Sequence, residues 1–188
     1  MFYTGTTDRP VTLRAMRRFL LWCAIVLAAA YAVGVPLFLL SDDDAIPEGA
    51  DAVVVLSGPD NLLPAGQTLV GGGIAPTLVV SATRSGRGDR RVRLCQAEPE
   101  GVECVYPGPF STPGEAQAIS ALAKSRGWDT VVLVTPDYER YVAQRVFRRC
   151  GDFRVAEHGV DQPLWRDVVG IPLEWVKFAI AETVRRGC

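Results

Sequence analysis

Apolar positions along the chain fall into one long run and several short ones. The long run is Phe19–Leu40, FLLWCAIVLAAAYAVGVPLFLL, which carries no charge for about 22 residues. As a helix it is long enough to cross a hydrocarbon core of about 30 Å, and no polar face interrupts it as one would in a soluble surface helix. The short runs are Asp51–Gly58 (DAVVVLSG), Thr77–Val80, Val102–Tyr106, Thr130–Val134 and Phe153–Ala156. They are too short for helices, and the first, second and fourth are apolar almost throughout. That pattern predicts strands covered on both faces, as in a parallel sheet.

Helical patterns lie between the short runs. Pro59–Val70 predicts a helix closed by Gly71–Gly73, which suit a carboxyl-terminal cap. Thr112-Pro113-Gly114-Glu115 fits a capping box, with the Thr112 hydroxyl capping, Pro113 first in the helix and Glu115 reaching back. The helix Ala116–Arg126 follows and Gly127 stops it. Tyr138–Arg149 carries Tyr141, Val142 and Val146 at helical spacing, with Asp137 as its expected N-cap. Leu173–Arg186, containing Glu174, Trp175, Phe178 and Glu182, predicts a final amphipathic helix. Thr83–Glu103 is polar and reads as a loop, its arginines (84, 87, 90, 91 and 93) solvated.

The resulting order, β-α-β-β-α-β-α-β-α, predicts an α/β fold: a doubly wound, mostly parallel, Rossmann-like sheet with right-handed connections, behind one N-terminal transmembrane helix. Four segments follow: an N-terminal tail 1–18, an anchor 19–40, an acidic linker 41–50 and an α/β domain 51–188. Arg9, Arg14, Arg17 and Arg18 precede the anchor, and Asp42, Asp43 and Asp44 follow it. That asymmetry puts the N-terminus in the cytoplasm and the domain outside the cell membrane, with the bilayer as a partner through 19–40. A cleaved signal peptide is the competing reading, because Ala30-Tyr31-Ala32 has the small-x-small form of a cleavage site. A signal peptide, however, has no need of an apolar run that continues to Leu40.

Charge and rare residues narrow the chemistry. A net charge of −1 argues against a nucleic-acid partner, which a basic surface would favour. The one histidine, His158, would have to serve any Ser-His-Asp triad, and a His-rich metal site is excluded. No C-x-x-C pair, phosphate-binding G-x-x-x-x-G-K loop or G-x-S-x-G elbow occurs, so no metal or cofactor is expected. With the domain outside, Cys95, Cys104, Cys150 and Cys188 face an oxidising compartment, and two disulfides with three pairings are open. Cys95 and Cys104 flank one short loop, which leaves Cys150 for Cys188.

In a doubly wound sheet, ligands bind beyond the carboxyl ends of the strands. The residues placed there are Ser57, Gly58, Ser81, Thr112, Glu115, Thr135, Asp137, Tyr138 and Glu139. Each has a plain structural alternative: the serines end strands, Thr112 and Glu115 cap a helix, and Glu139 suits the first turn of a helix dipole. Glu115 and Glu139 could instead work as a general acid and base. An anionic ligand would fit the helix starts near Thr112 and Asp137.

The series DAVVVLSG at 51–58, GIAPTLVVSA at 73–82, TPGEAQAI at 112–119 and VTPDYERYVAQRVFRRC at 134–150 resembles the YdcF/SanA-like (ElyC-like) family of envelope proteins. The ending RRGC at 185–188 is similar to versions from high-GC Gram-positive bacteria. The resemblance implies one N-terminal span and a small doubly wound domain. Thr112, Glu115 and Ala116 match the family's T-x-x-E-A. The chain departs from the family after the fourth strand, where Glu139 stands at the usual histidine and Val142 at the usual arginine. It departs again at Asn61-Leu62, where a Glu-Arg pair is usual. The expected function is binding of a small cell-wall-derived, nucleotide-like or lipid-linked molecule in support of envelope integrity. The alternatives are an enzyme on such a substrate using Glu115 and Glu139, or an interaction module with a vestigial crevice.

Overall fold

Three short apolar runs form the middle of a parallel sheet, because each strand there is covered by helices on both faces. The computed structural model describes residues 13–39, 45–84, 89–109 and 111–183. In chain order the elements are α1 (Leu13–Leu39), β1 (Ala52–Val55), α2 (Leu62–Gly71), β2 (Thr77–Ser81), α3 (Arg90–Ala97), β3 (Val102–Val105), α4 (Thr112–Arg126), β4 (Thr130–Pro136), α5 (Arg140–Cys150), β5 (Arg154–Val160) and α6 (Leu164–Thr183). A single 3-10 turn, Asp137–Glu139, joins β4 to α5.

The five strands are all parallel, in the order β3-β2-β1-β4-β5. Alternate residues of each strand face opposite sides. Val53, Val55, Leu78 and Val132 pack under α2 and α3, whereas Ala52, Val54, Val79 and Leu133 pack under α4, α5, α6 and the end of α1. At the amino-terminal edge, Asp51 accepts from the N–H groups of Asp129 and Thr130, both at 2.8 Å, and so fixes β1 against β4. Gly66 lets α2 lie close on β1, since a Cβ there would collide with Val55.

Four expectations need correction. The polar stretch between β2 and β3 holds a helix, α3, which gives the parallel pair β2–β3 the crossover it requires. Asp89 caps it by accepting from the Arg91 N–H at 2.8 Å. Arg91 is buried, its guanidinium donating to the carbonyls of Gly58 and Pro59 at 2.9 and 2.8 Å. Ser111, not Thr112, caps α4, accepting from the Gly114 N–H at 3.4 Å. Asp137 caps no helix; it opens the 3-10 turn and pairs with Arg140 at 3.6 Å. The last helix starts at Leu164, nine residues before the expected Leu173, with Pro172 inside it.

A disulfide joins Cys95 on α3 to Cys104 on β3, as expected. Cys150 is disulfide-bonded too; the partner expected for it, Cys188, lies outside the described residues. The apolar N-terminal segment is a helix long and apolar enough to cross a membrane, over Ala15–Leu39.

Candidate functional site

The sheet changes direction between β1 and β4. The chain leaves β1 toward one face through α2 and leaves β4 toward the other through α5, so a crevice opens above the two carboxyl ends. Register pairs Val55 with Val134, which brings the Ser57-Gly58 loop beside Pro136 and the 3-10 turn. A cavity of about 490 Å3 occupies this crevice, within the usual range for small-molecule sites. Its polar side consists of Ser57, Ser111, Thr112, Glu139 and Lys177, and its apolar side of Val142, Val146, Ile180 and Ala181.

Beneath the crevice, Glu115 projects from the first turn of α4 and is almost fully buried. The Ser57 N–H donates to its carboxylate at 2.7 Å, tying α4 to the end of β1. Burial raises the Glu115 pKa; the hydroxyl of Ser81 and the N–H and hydroxyl of Ser57 offset this in part, and the charge of Glu139 adds to it. Two more hydroxyls lie buried at the strand ends, Ser81 Oγ on β2, which faces the Glu115 carboxylate, and Thr135 Oγ1 on β4.

On the open side the 3-10 turn sets three expected residues. Asp137 faces Arg140, and both crowd Gly159 of β5, where a Cβ would collide with the Asp137 carboxylate. Tyr138 packs its ring against Gly170 of α6; burial raises its hydroxyl pKa and the Glu139 charge adds to the shift. Glu139 turns into the cavity and accepts from Lys177 Nζ at 2.5 Å. The same ammonium lies 2.8 Å from Oε1 of Glu174, a fully buried carboxylate one helical turn earlier. Burial pushes the Glu174 pKa up to about 7 against the pull of Lys177, with the Glu139 charge adding to the rise. Burial works against charge on Lys177, but Glu139 and Glu174 outweigh it and hold its pKa above the ordinary value.

The expected residues therefore divide into two layers. Ser57, Gly58, Thr112 and Glu139 line the cavity. Ser81, Glu115 and Thr135 form a buried layer below it. Asp137 and Tyr138 are outside the lining, supporting the turn. Glu115 and Glu139 thus occupy different layers, one sealed and one open. Val142 is part of the apolar wall. Asn61 ties α2 to the segment after β5 by donating to the Asp161 carbonyl at 3.3 Å and accepting from Gln162 at 3.2 Å.

Sequence reasoning missed Lys177, Glu174 and Arg91. Lys177 and Glu174 come from the last helix, far along the chain; their i,i+3 spacing was the one local signal. Nor does the start of α4 form an anion cradle. At α4, Pro113 has no N–H and the Gly114 N–H is taken by Ser111. The site instead offers a neutralised acid–lysine pair and hydroxyls on one side and hydrocarbon on the other. No family model, curated protein or solved structure matches the chain.

Proposed function

We propose that this chain is a single-pass membrane protein, divergent from the YdcF/SanA-like envelope family, whose outer domain binds the saccharide head of a lipid-linked cell-wall molecule. The N-terminus is cytoplasmic, with Arg17 and Arg18 on the inner side of the span, and the α/β domain is extracellular. The observation that carries the reading is the two-sided cavity at the sheet's switch point. Sugar hydroxyls both donate and accept, so they suit Glu139, Lys177, Ser57 and Thr112 together. A polyprenyl chain suits Val142, Val146 and Ile180. A bare phosphate suits the site less well, because Lys177 is already paired with two carboxylates.

The test is thermal unfolding of the full chain in detergent with a short-chain polyprenyl-linked saccharide, the free saccharide and the free lipid. A ligand that binds only the native state, at about 100 times its Kd, adds about 2.7 kcal/mol. For a chain of this size that raises Tm by about 5–11 °C. The linked molecule should give the largest shift, and Lys177→Met and Thr112→Val should each reduce it. No shift from the linked molecule, or an undiminished shift in both variants, would overturn the assignment.

A further inference from the structure

α6 buries one face against the protein and leaves a second apolar face uncovered. Gly170, Ile171, Glu174 and Ala181 point inward. Every exposed residue from Val168 to Ile180 is apolar: Val168, Val169, Pro172, Leu173, Val176, Ala179 and Ile180. Trp165, exposed as well, extends the stripe by one turn. A soluble surface helix carries polar residues on its outer face.

What covers this face follows from its neighbour. α6 packs along the second half of α1. Trp175 Nε1 donates to the Ala30 carbonyl at 3.1 Å, Ile171 and Trp175 pack on Gly34, and the Tyr31 hydroxyl donates to the Val168 carbonyl at 2.8 Å. If the bilayer core begins beyond Arg18, about 20 helical residues place its far edge near Phe38. Ala30 to Gly34 then lie about 6–12 Å inside that edge at 1.5 Å per residue. The middle of α6 is held at the same depth. Moreover, Val168 is the residue whose carbonyl Pro172, four positions on, cannot satisfy. In hydrocarbon no water can do so, and a neighbouring helix must. Tyr31 makes that bond.

We infer that the outer face of α6, from Trp165 to Ile180, lies in the outer leaflet of the bilayer, so that the domain sits partly sunk in the membrane against its own anchor. Seated this way, α6 presents Ile180, part of the cavity wall, to the lipid surface, and an acyl chain could reach the crevice without crossing water. The inference rests on α1 being inserted, and the experiment separates the two claims.

The test uses spin labels on the full chain in phosphatidylcholine–phosphatidylglycerol vesicles. Cys23, exposed and free on α1, is labelled in the native chain and reports insertion of the anchor. In a Cys23→Ala background, Val169→Cys and Val176→Cys report α6, and Lys124→Cys on exposed α4 is the aqueous reference. Collisions with oxygen should exceed those with a water-soluble nickel chelate at Cys23 and at both α6 positions, with the order reversed at Lys124→Cys. A lipid-like signal at Cys23 with an aqueous one at both α6 sites would refute seating and leave anchoring intact. An aqueous signal at Cys23 would overturn both. Low collision rates with both reagents at the α6 sites would mean that protein, such as a second copy, covers the face, and would refute the lipid assignment.

Discussion

Replacing Glu174 by Gln tests the electrostatics of the crevice most directly. The carboxylate is fully buried, Oε2 has no hydrogen-bond partner in the described structure, and its pKa stands at about 7 rather than 4.5. A displacement of that size corresponds to about 3 kcal/mol. The folded state holds this proton more tightly than the unfolded chain, so it binds more protons between about pH 4.5 and 7. Stability from this group is therefore full at the acid end, falls as pH rises through that window and is flat above it. The raised pKa of Lys177 acts in the same sense, stability lost as pH rises, but only in the alkaline range, so it sets a level and no slope here. Glutamine keeps the shape and removes the titration. Thermal unfolding of the full chain in detergent, followed by near-ultraviolet circular dichroism from pH 4.5 to 8, should show a steeper fall in the parent than in Glu174→Gln. The difference in fall should be about 6–12 °C at about 2–4 °C per kcal/mol. Parallel curves for the two proteins would refute the assignment of a neutral-range proton to Glu174.

Three further outcomes follow from the packing. Glu115→Ala should cost about 1–3 kcal/mol by leaving the Ser57 N–H unpaired, and Glu115→Gln, which keeps an acceptor, distinctly less; equal losses in unfolding experiments would show that the bridge to β1 is not what the residue provides. Gly66→Ala should cost about 1–3 kcal/mol, because the added Cβ runs into Val55; an unchanged Tm would mean that α2 can lift off β1 freely. Replacing both Cys95 and Cys104 by Ser opens a loop with a sequence separation of 9 and should cost about 2–3 kcal/mol on the chain-entropy account, read as a lower unfolding midpoint that reductant, left with only the bond of Cys150, moves less than in the parent.

The sheet was legible because doubly covered strands must be apolar on both sides, and Asp51–Gly58, Thr77–Val80 and Thr130–Val134 announce this locally. α3 was not, because part of its buried face is Arg91, whose charge is met by two backbone carbonyls from the loop after β1. No hydrophobic period marks such a helix. Pro172 misled in a related way: proline normally bars a helix interior, and what permits it here is a hydroxyl 137 positions away on α1. The crevice floor could be read from strand ends, since Ser57, Ser81, Glu115 and Thr135 follow directly from topology. Its charge balance could not, because Lys177 reaches Glu139 from 38 positions further on. The capping error was a shift of one residue: Ser111 and Thr112 both carry the hydroxyl that a cap needs, and only the backbone angles decide between them.

Phe38, near the end of α1, is wholly enclosed, with its ring edge-on to Trp175 at 5.3 Å and near Tyr141 at 5.9 Å. It shares one apolar cluster with Val54 of β1 and Leu133 of β4. An anchor is commonly thought of as a tether that a protease can sever to release a working ectodomain. Here α1 ends as a plug in the body that follows it. Cutting the chain after Leu39 would leave that plug gripped by α5 and α6, whereas a chain that starts at the linker would lack it and carry an unfilled hole the size of a phenyl ring. Loss of a buried phenylalanine costs about 3–5 kcal/mol, a large share of what holds a small domain together. Separation of the domain from α1 and its unfolding are therefore coupled in this protein.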